Sequence, residues 1–424
     1  MNLSFTKLAA LQGEYRPPSD KSLTHRSYMF GAFASGPSIV RNPLRGEDCE
    51  DTRNCMIQLG MRHEQLSANE FRLIPCQEWT QPTGPLNCGN SGTTMRLLAG
   101  LVASYPLDVT LIGDASLSKR PMKRIADPLR LMGAEFEGDT PPIRIKGGNL
   151  KGIDYVSPVA SGQIKSCTLL AGLRAEGTTS VTEPSLSRDH TERMLQGVGF
   201  EVIRDGLKVS VAGGQTAQPF EFDVPADISS AAFFLVAAGL LNGSQVTAKD
   251  LGINPTRSGL LDVFDQVGIP YELTNTRNVV NEPVADVIVG TAPILKPFTI
   301  EGALVPRLID EIPVLAVLAT QCEGTSIIRD AKEMRVKESD RIELVAQNLR
   351  RMGANIETFE DGMAITGPTP LTGVQVDSKL DHRIAMSFAI AGCIAEGVTE
   401  IIGAESIRTS FPNFEEELAR LAIH

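Results

Sequence analysis

The sequence predicts an α/β protein of two domains, assembled from about six copies of one helix, strand, helix, hairpin unit. Three observations predict it. A chain of 424 residues exceeds what one hydrophobic core organises. A glycine closes a helical run five times along the chain, each time just before a two-strand pattern. The last copy ends in a helix with no hairpin after it, so its missing strands have to come from the N-terminus.

Taken in order, Leu3-Ser4-Phe5 and the residues up to Gln12 read as extended. Helical runs then stop at Met56-Ile57-Gln58-Leu59-Gly60, Leu129-Arg130-Leu131-Met132-Gly133, Gln196-Gly197-Val198-Gly199, Phe264-Asp265-Gln266-Val267-Gly268 and Leu349-Arg350-Arg351-Met352-Gly353. The hairpin is clearest after Gly199, where Glu201 to Arg204 and Leu207 to Val211 flank an Asp205-Gly206 turn. A small-residue helix and a strand come before each stop, as in Ser229 to Leu241 followed by Gln245 to Thr247. The sixth copy begins at Ile384-Ala385-Met386 and ends with Phe414 to Ala422. Closing it with N-terminal strands puts both termini in one discontinuous domain, 1–20 plus 227–424, with 21–226 inserted. The crossings near Lys21 and Ala226-Asp227 then form a natural hinge.

Composition narrows the partners. Apolar content of 42% excludes a disordered or fibrous chain, and a net charge of -11 without a run of Lys or Arg argues against nucleic acid. A basic site in so acidic a chain suits a small anion. The seven cysteines are odd in number and form no C-x-x-C pair, which fits a reducing cytoplasm, and Cys167, Cys322 and Cys393 read as core residues. The five histidines have no metal-ligand spacing, so no metal is expected. Met1 to Tyr15 has no targeting character, and no run of about 18 uncharged apolar residues predicts a membrane span.

Ser19-Asp20-Lys21-Ser22-Leu23-Thr24-His25-Arg26 opens a helix with cations where the helix dipole favours anions. The pattern recurs at Gly89-Asn90-Ser91-Gly92-Thr93-Thr94-Met95-Arg96, Ser161-Gly162-Gln163-Ile164-Lys165, Lys337-Glu338-Ser339-Asp340-Arg341 and Asp381-His382-Arg383. A single instance reads better as a surface cation lying over its own helix. Five together point to a shared pocket of helix N-termini, whose free N–H groups donate to phosphate or carboxylate oxygens. Leu117 to Arg124 adds a basic turn in which Arg120 can present a planar fork, and Arg188 opens another helical turn in Ser187 to Glu192. Asp310 and Glu311 head a strongly apolar helix, where a capping role is the alternative. Glu338, flanked by Lys337 and Arg341, tips the balance towards chemistry. Carboxylates among cations stay ionised and act as bases, and anion storage needs none.

The motifs P-S-D-K-S-L-T-H-R, N-C-G-N-S-G-T-T-M-R, G-D-A-S-L-S-K-R-P-M, S-G-Q-I-K-S, L-I-D-E-I-P, R-V-K-E-S-D-R and D-H-R-I-A-M-S-F, in this order from Lys21 to Pro412, resemble the 5-enolpyruvylshikimate-3-phosphate synthase family. Arg188 to Glu192 and Asn254-Pro255-Thr256-Arg257 resemble its second bacterial subgroup. The resemblance implies two pseudo-threefold domains, each of three βαβαββ units in an inside-out α/β barrel, closing across a cleft. It implies that phosphoenolpyruvate gives its enolpyruvyl group to the 5-hydroxyl of shikimate 3-phosphate, releasing phosphate, on the route to chorismate. No metal or other cofactor is implied. Lys21, Gly92, Arg120, Gln163, Arg341 and Arg383 would hold phosphoenolpyruvate, and Lys21, Ser22, Arg26, Ser161, Gln163, Arg188, Asp310 and Lys337 would hold shikimate 3-phosphate. Asn90, Thr93 and His382 would support them. The discontinuous domain would carry the phosphoenolpyruvate side with Asp310 and Glu338, and the inserted one mainly the shikimate 3-phosphate side. Asp310 would take the hydroxyl proton, while Glu338 and Lys21 would handle the proton at the methylene carbon. A monomer and sensitivity to glyphosate, for which Gly92 leaves room, are expected.

Two positions depart from the family pattern. Thr409 stands where some members have Lys, and Gly162 where Ser or Ala is usual. A sister enzyme acting on UDP-N-acetylglucosamine has a Cys where this chain has Ala115. A non-catalytic sensor of phosphorylated metabolites would not need Asp310 or Glu338.

Overall fold

A computed structural model describes residues 1–423. The chain forms two compact units. The terminal unit comprises Met1–Pro18, Ala226–Arg277 and the chain from Pro283 onward, and the inserted unit comprises Ser19–Pro225 with the hairpin tip Asn278–Glu282. No helix among the described residues is long and apolar enough to cross a membrane.

The helices are α1 (Lys21–Phe33), α2 (Glu47–Gln58), α3 (Gly92–Ala103), α4 (Lys123–Met132), α5 (Gly162–Gly172), α6 (His190–Gly197), α7 (Ile228–Leu240), α8 (Gly259–Val267), α9 (Val305–Leu308), α10 (Ile312–Ala319), α11 (Arg341–Arg351), α12 (His382–Ile394) and α13 (Phe414–Leu421). Two kinds alternate. α1, α3 and α5 in the inserted unit, and α7, α10 and α12 in the terminal unit, are buried on nearly every face, as their small and apolar residues require. The outer helices are one-sided: α8 buries Leu260, Val263, Phe264 and Val267 and leaves Asp265 and Gln266 in solvent. α4 and α8 stop at Gly133 and Gly268, whose φ values of 105° and 88° suit glycine.

Each central helix leads to a small sheet with one repeated order. A leading strand pairs in parallel with the strand after the helix, and the hairpin then adds antiparallel: Asp154–Val156, Thr178–Thr182, Lys208–Ala212 and Val202–Asp205 form one example. Alternation fixes which face is inward. In Ile143–Lys146 the isoleucines are buried and Arg144 and Lys146 exposed. Two leading strands are displaced in sequence. Glu221–Asp223 leads the sheet of Ser38–Arg41, and Ala10–Tyr15 leads that of Gln245–Gly252.

The N-terminus closes the sixth copy differently from the sequence expectation. Only Asn2–Thr6 joins its sheet, antiparallel to Val398–Ile402. Ala10–Tyr15 serves the fourth copy instead, and the chain end Ala422–Ile423 adds its own short strand along Ala10 and Leu11. A two-residue strand after α13 escapes detection, because periodicity needs a longer run.

The central helices of the inserted unit approach closely where glycine allows it. A Cβ on Gly100 of α3 would lie 2.1 Å from the Cys167 carbonyl oxygen of α5. Gly100→Ala is therefore expected to push the helices apart and destabilise the fold by about 1–3 kcal/mol, the usual scale of overpacking. Urea unfolding at unchanged m-value checks this, and a wild-type midpoint would show that the contact yields without strain.

Candidate active site

In the inserted unit the first turns of α1, α3 and α5 are capped by Asp20, Ser91 and Ser161, which accept the Leu23, Thr94 and Ile164 N–H groups. The cations sit just beyond these caps. Lys21 Nζ donates to Asp48 Oδ2 of α2 at 3.1 Å. Arg26, 5% exposed, donates from Nε to Thr191 Oγ1 at 2.8 Å, from Nη2 to Ser166 Oγ at 3.0 Å and from Nη1 to the Ser22 carbonyl at 2.9 Å. Arg96 Nη1 donates to Gln163 Oε1 at 2.7 Å, and Gln163 Nε2 to Thr93 Oγ1 at 3.1 Å. Arg120 Nη2 reaches Asn90 Oδ1 at 2.8 Å, and Asn90 is held in turn by Asp114 at 2.7 Å. A Cβ on Gly92 would stand 2.9 Å from Arg96 Nη1 and 3.6 Å from Arg120 Nη1, so glycine gives both guanidinium groups their space.

Gly162 has a comparable reason. A Cβ there would meet the Arg188 carbonyl at 3.0 Å and the Arg188 Cβ at 3.3 Å, so the departure from Ser or Ala lets the Arg188 loop come close. Below this loop Lys165 Nζ lies 2.7 Å from Glu183 Oε2 and 2.9 Å from Glu192 Oε1, all buried. Glu183 Oε1 also accepts the Ser161 N–H at 2.9 Å. Burial disfavours a charge on Lys165, yet Glu192 and Glu183 hold its pKa above the usual lysine range.

The terminal unit builds its cluster on Arg341. The side chain is 1% exposed and donates from Nε to Asp381 Oδ2 at 2.9 Å, from Nη2 to Glu338 Oε2 at 2.6 Å and from Nη1 to Asp310 Oδ1 at 3.5 Å. Lys337 Nζ lies 3.5 Å from the same Asp310 oxygen. Asp381 caps α12 through the Arg383 and Ile384 N–H groups, and Arg383 Nη1 donates to the Ser229 carbonyl at 3.2 Å. His382 is buried beside it. Burial opposes the Arg341 charge, but Glu338, Asp381 and Asp310 outweigh it and push its pKa above the ordinary value. Burial likewise acts against the Asp381 carboxylate, and Arg341 overcomes it, so its pKa falls below the usual aspartate range.

The structure thus gathers the sequence candidates into one set per unit. Lys21, Ser22, Arg26, Asn90, Gly92, Thr93, Arg120, Ser161, Gln163 and Arg188 lie in the inserted unit, and Asp310, Lys337, Glu338, Arg341, His382 and Arg383 in the terminal unit. Of the residues assigned to phosphoenolpyruvate by resemblance, Lys21, Gly92, Arg120 and Gln163 are in the inserted unit and only Arg341 and Arg383 in the terminal one, so that ligand set is not confined to the terminal unit. Glu311 does not cap α10, the bland alternative for that segment, and instead accepts the Ser229 hydroxyl. Arg408, beside the Thr409 departure, is exposed. The pairings of Lys21 with Asp48 and of Lys165 with Glu183 and Glu192 had no sequence signal, because each joins residues 18 or more positions apart.

His25, between Lys21 and Arg26, is fully buried with Nδ1 2.7 Å from Thr52 Oγ1, and burial lowers its pKa from 6.5 to about 3, with Asp48 opposing and Lys21 and Arg26 assisting. The unfolded chain therefore takes up a proton below pH 6.5 that the folded chain refuses until about pH 3. Stability on this account is full above pH 6.5 and declines as pH falls towards 3, by a total on the order of 4 kcal/mol. Denaturation of wild type and His25→Gln from pH 7 to 4 checks it. The two stability curves should converge as pH falls, and parallel curves would contradict a buried neutral imidazole.

Comparison with known proteins covers nearly the whole chain. The chain matches the family described as EPSP synthase (3-phosphoshikimate 1-carboxyvinyltransferase) over residues 5–418. It is 49% identical over 422 residues to the 3-phosphoshikimate 1-carboxyvinyltransferase of Bacillus licheniformis, covering 98% of each chain. It is 49% identical over 419 residues to that of Brevibacillus brevis, covering 97% of this chain and 98% of the relative. A solved structure of EPSP synthase from Acinetobacter baumannii superposes with a TM-score of 0.90 at 42% identity, covering 100% of this chain and 99% of that one. With relatives so similar across nearly all its residues, the chain belongs to the EPSP synthase (3-phosphoshikimate 1-carboxyvinyltransferase) family.

Proposed function

We infer that this chain transfers the enolpyruvyl group of phosphoenolpyruvate to the 5-hydroxyl of shikimate 3-phosphate, releasing phosphate, on the route to chorismate and the aromatic amino acids. One observation carries the assignment of roles: Asp310 and Glu338, two carboxylates, share the buried Arg341, with Lys337 beside Asp310.

The chemistry asks for that pairing. A proton delivered to the methylene carbon of phosphoenolpyruvate turns it into a methyl group and leaves the neighbouring carbon cationic. The 5-hydroxyl oxygen attacks that carbon and gives up its proton, forming a tetrahedral intermediate. Loss of a methyl proton then restores the double bond as the phosphate departs. Glu338, with Lys21, handles the methylene proton, and Asp310 takes the hydroxyl proton. Fixing two anions on either side of a developing cation makes orientation and electrostatics the main contributions. Lys21, Gly92, Arg120, Gln163, Arg341 and Arg383 hold phosphoenolpyruvate, while Ser22, Arg26, Ser161, Arg188 and Lys337 hold shikimate 3-phosphate.

On this reading residues of both units serve one pair of ligands. The working form is a monomer, since one chain supplies every assigned residue. Its place is the cytoplasm, in keeping with seven free cysteines, most of them buried. Ala115 disfavours the sister reaction on UDP-N-acetylglucosamine, and the paired carboxylates disfavour a sensor.

Phosphate release from phosphoenolpyruvate, followed with each acceptor, tests this. Release is expected with shikimate 3-phosphate and not with UDP-N-acetylglucosamine. Asp310→Asn and Glu338→Gln should each lose about 100-fold or more in turnover while still binding both ligands. Wild-type turnover in either variant contradicts the role given to that residue.

A further inference from the structure

We propose that Arg257 is a positioning residue for this reaction: its guanidinium, anchored by Asp227, sets the orientation and preserves the charge of Asp310. The proposal rests on the reading of Asp310 as proton acceptor.

The Asn254 to Ser258 turn that carries Arg257 is tightly tied. Asn254 Oδ1 accepts the Thr256 N–H at 2.9 Å and the Thr256 hydroxyl at 2.8 Å, and the Asn254 carbonyl accepts the Arg257 and Ser258 N–H groups at 2.8 and 2.9 Å. Arg307 clamps the same turn, donating to the Pro255 carbonyl at 2.7 Å while its fork grips Asp262 of α8 at 3.0 and 2.7 Å. So fixed, the Arg257 side chain is 4% exposed and has carboxylates on two sides. Nη2 lies 3.0 Å from Asp227 Oδ1, while Nη1 lies 3.6 Å from Asp310 Oδ2 and 3.8 Å from Glu311 Oε1.

This geometry divides the Asp310 carboxylate. Oδ2 faces Arg257, and Oδ1 faces Lys337 and Arg341, each at 3.5 Å, on the side assigned to the substrates. Arg257 thereby holds Oδ1 as the oxygen that turns to the attacking hydroxyl. A planar fork can span Asp227 and Asp310 together, and a single ammonium cannot. The charge matters separately. Asp227, Asp310 and Glu311 converge on Arg257, with Lys337, Glu338 and Arg341 on the far side of Asp310 and Asp381, His382 and Arg383 behind them at the head of α12. Without Arg257, Asp310 keeps Lys337 and Arg341 but faces two acids with one cation fewer, which favours its protonated form.

Steady-state kinetics across pH with Arg257→Gln, Arg257→Lys and Asp310→Asn separate these effects. Arg257→Gln is expected to lose about tenfold or more in kcat with KM nearly unchanged, and its acid limb should move up by about one pH unit. Arg257→Lys should lose about tenfold in kcat, since orientation is lost, while its acid limb stays near wild type because the charge remains. Wild-type kcat in either variant overturns the proposal, as does an Arg257→Gln enzyme whose turnover falls with an unmoved acid limb. Should Arg257→Gln fail to fold, kcat of Arg257→Lys decides alone. Asp310→Asn tells the two readings apart: wild-type turnover there removes the role of Asp310 itself, whereas a large loss there beside a normal Arg257→Gln removes only that of Arg257.

Discussion

Cations at the positive ends of helix dipoles are the constraint on which this structure turns. α1, α3 and α12 have no acid in the first turn, and Lys21, Arg26, Arg96 and Arg383 lie at or near those starts. Each such placement runs against the dipole by about 0.3–1 kcal/mol at an exposed helix end. The fold absorbs the conflict with backbone caps and with carboxylates brought from elsewhere. Asp20, Ser91, Ser161 and Asp381 satisfy the free N–H groups, while Asp48 takes Lys21 and Asp381 takes Arg341. On the proposed function, an anionic ligand adds to the balance that these internal carboxylates begin.

The two units solve the same problem with different chemistry. In the inserted unit, neutral acceptors do much of the holding: Thr191, Ser166, Asn90 and Gln163 orient Arg26, Arg120 and Arg96. In the terminal unit Arg341 is saturated by Asp310, Glu338 and Asp381. The cation there organises acids, to which the proposed function gives the proton traffic. One set is suited to binding, and the other to chemistry as well as binding.

What could be read from the sequence followed from local rules. The helix starts at Lys21, Gly92, Gly162, Arg341 and His382 obey capping and dipole arguments confined to one turn, and the glycine stops at Gly133 and Gly268 need only a positive φ. The rest depended on pairing over long separations. Nothing near Lys21 names Asp48, and nothing near Arg257 names Asp227 and Asp310. The N-terminal strands were visible as strands, but their destinations were not. Asn2–Thr6 and Ala10–Tyr15 join different sheets, a choice made by register against distant partners. Glu311 read equally well as a cap, and only the Ser229 hydroxyl beside it shows otherwise.

If the helix-start cations are held ready for phosphate, anion binding must stabilise the fold through charge and not merely through shape. Thermal unfolding with shikimate 3-phosphate and with unphosphorylated shikimate at equal concentration measures this directly. At a hundred times its dissociation constant the phosphorylated ligand adds about 2.7 kcal/mol, enough to raise Tm by several degrees, while shikimate should leave it almost unchanged. Equal shifts with the two ligands, or none with either, would contradict the account.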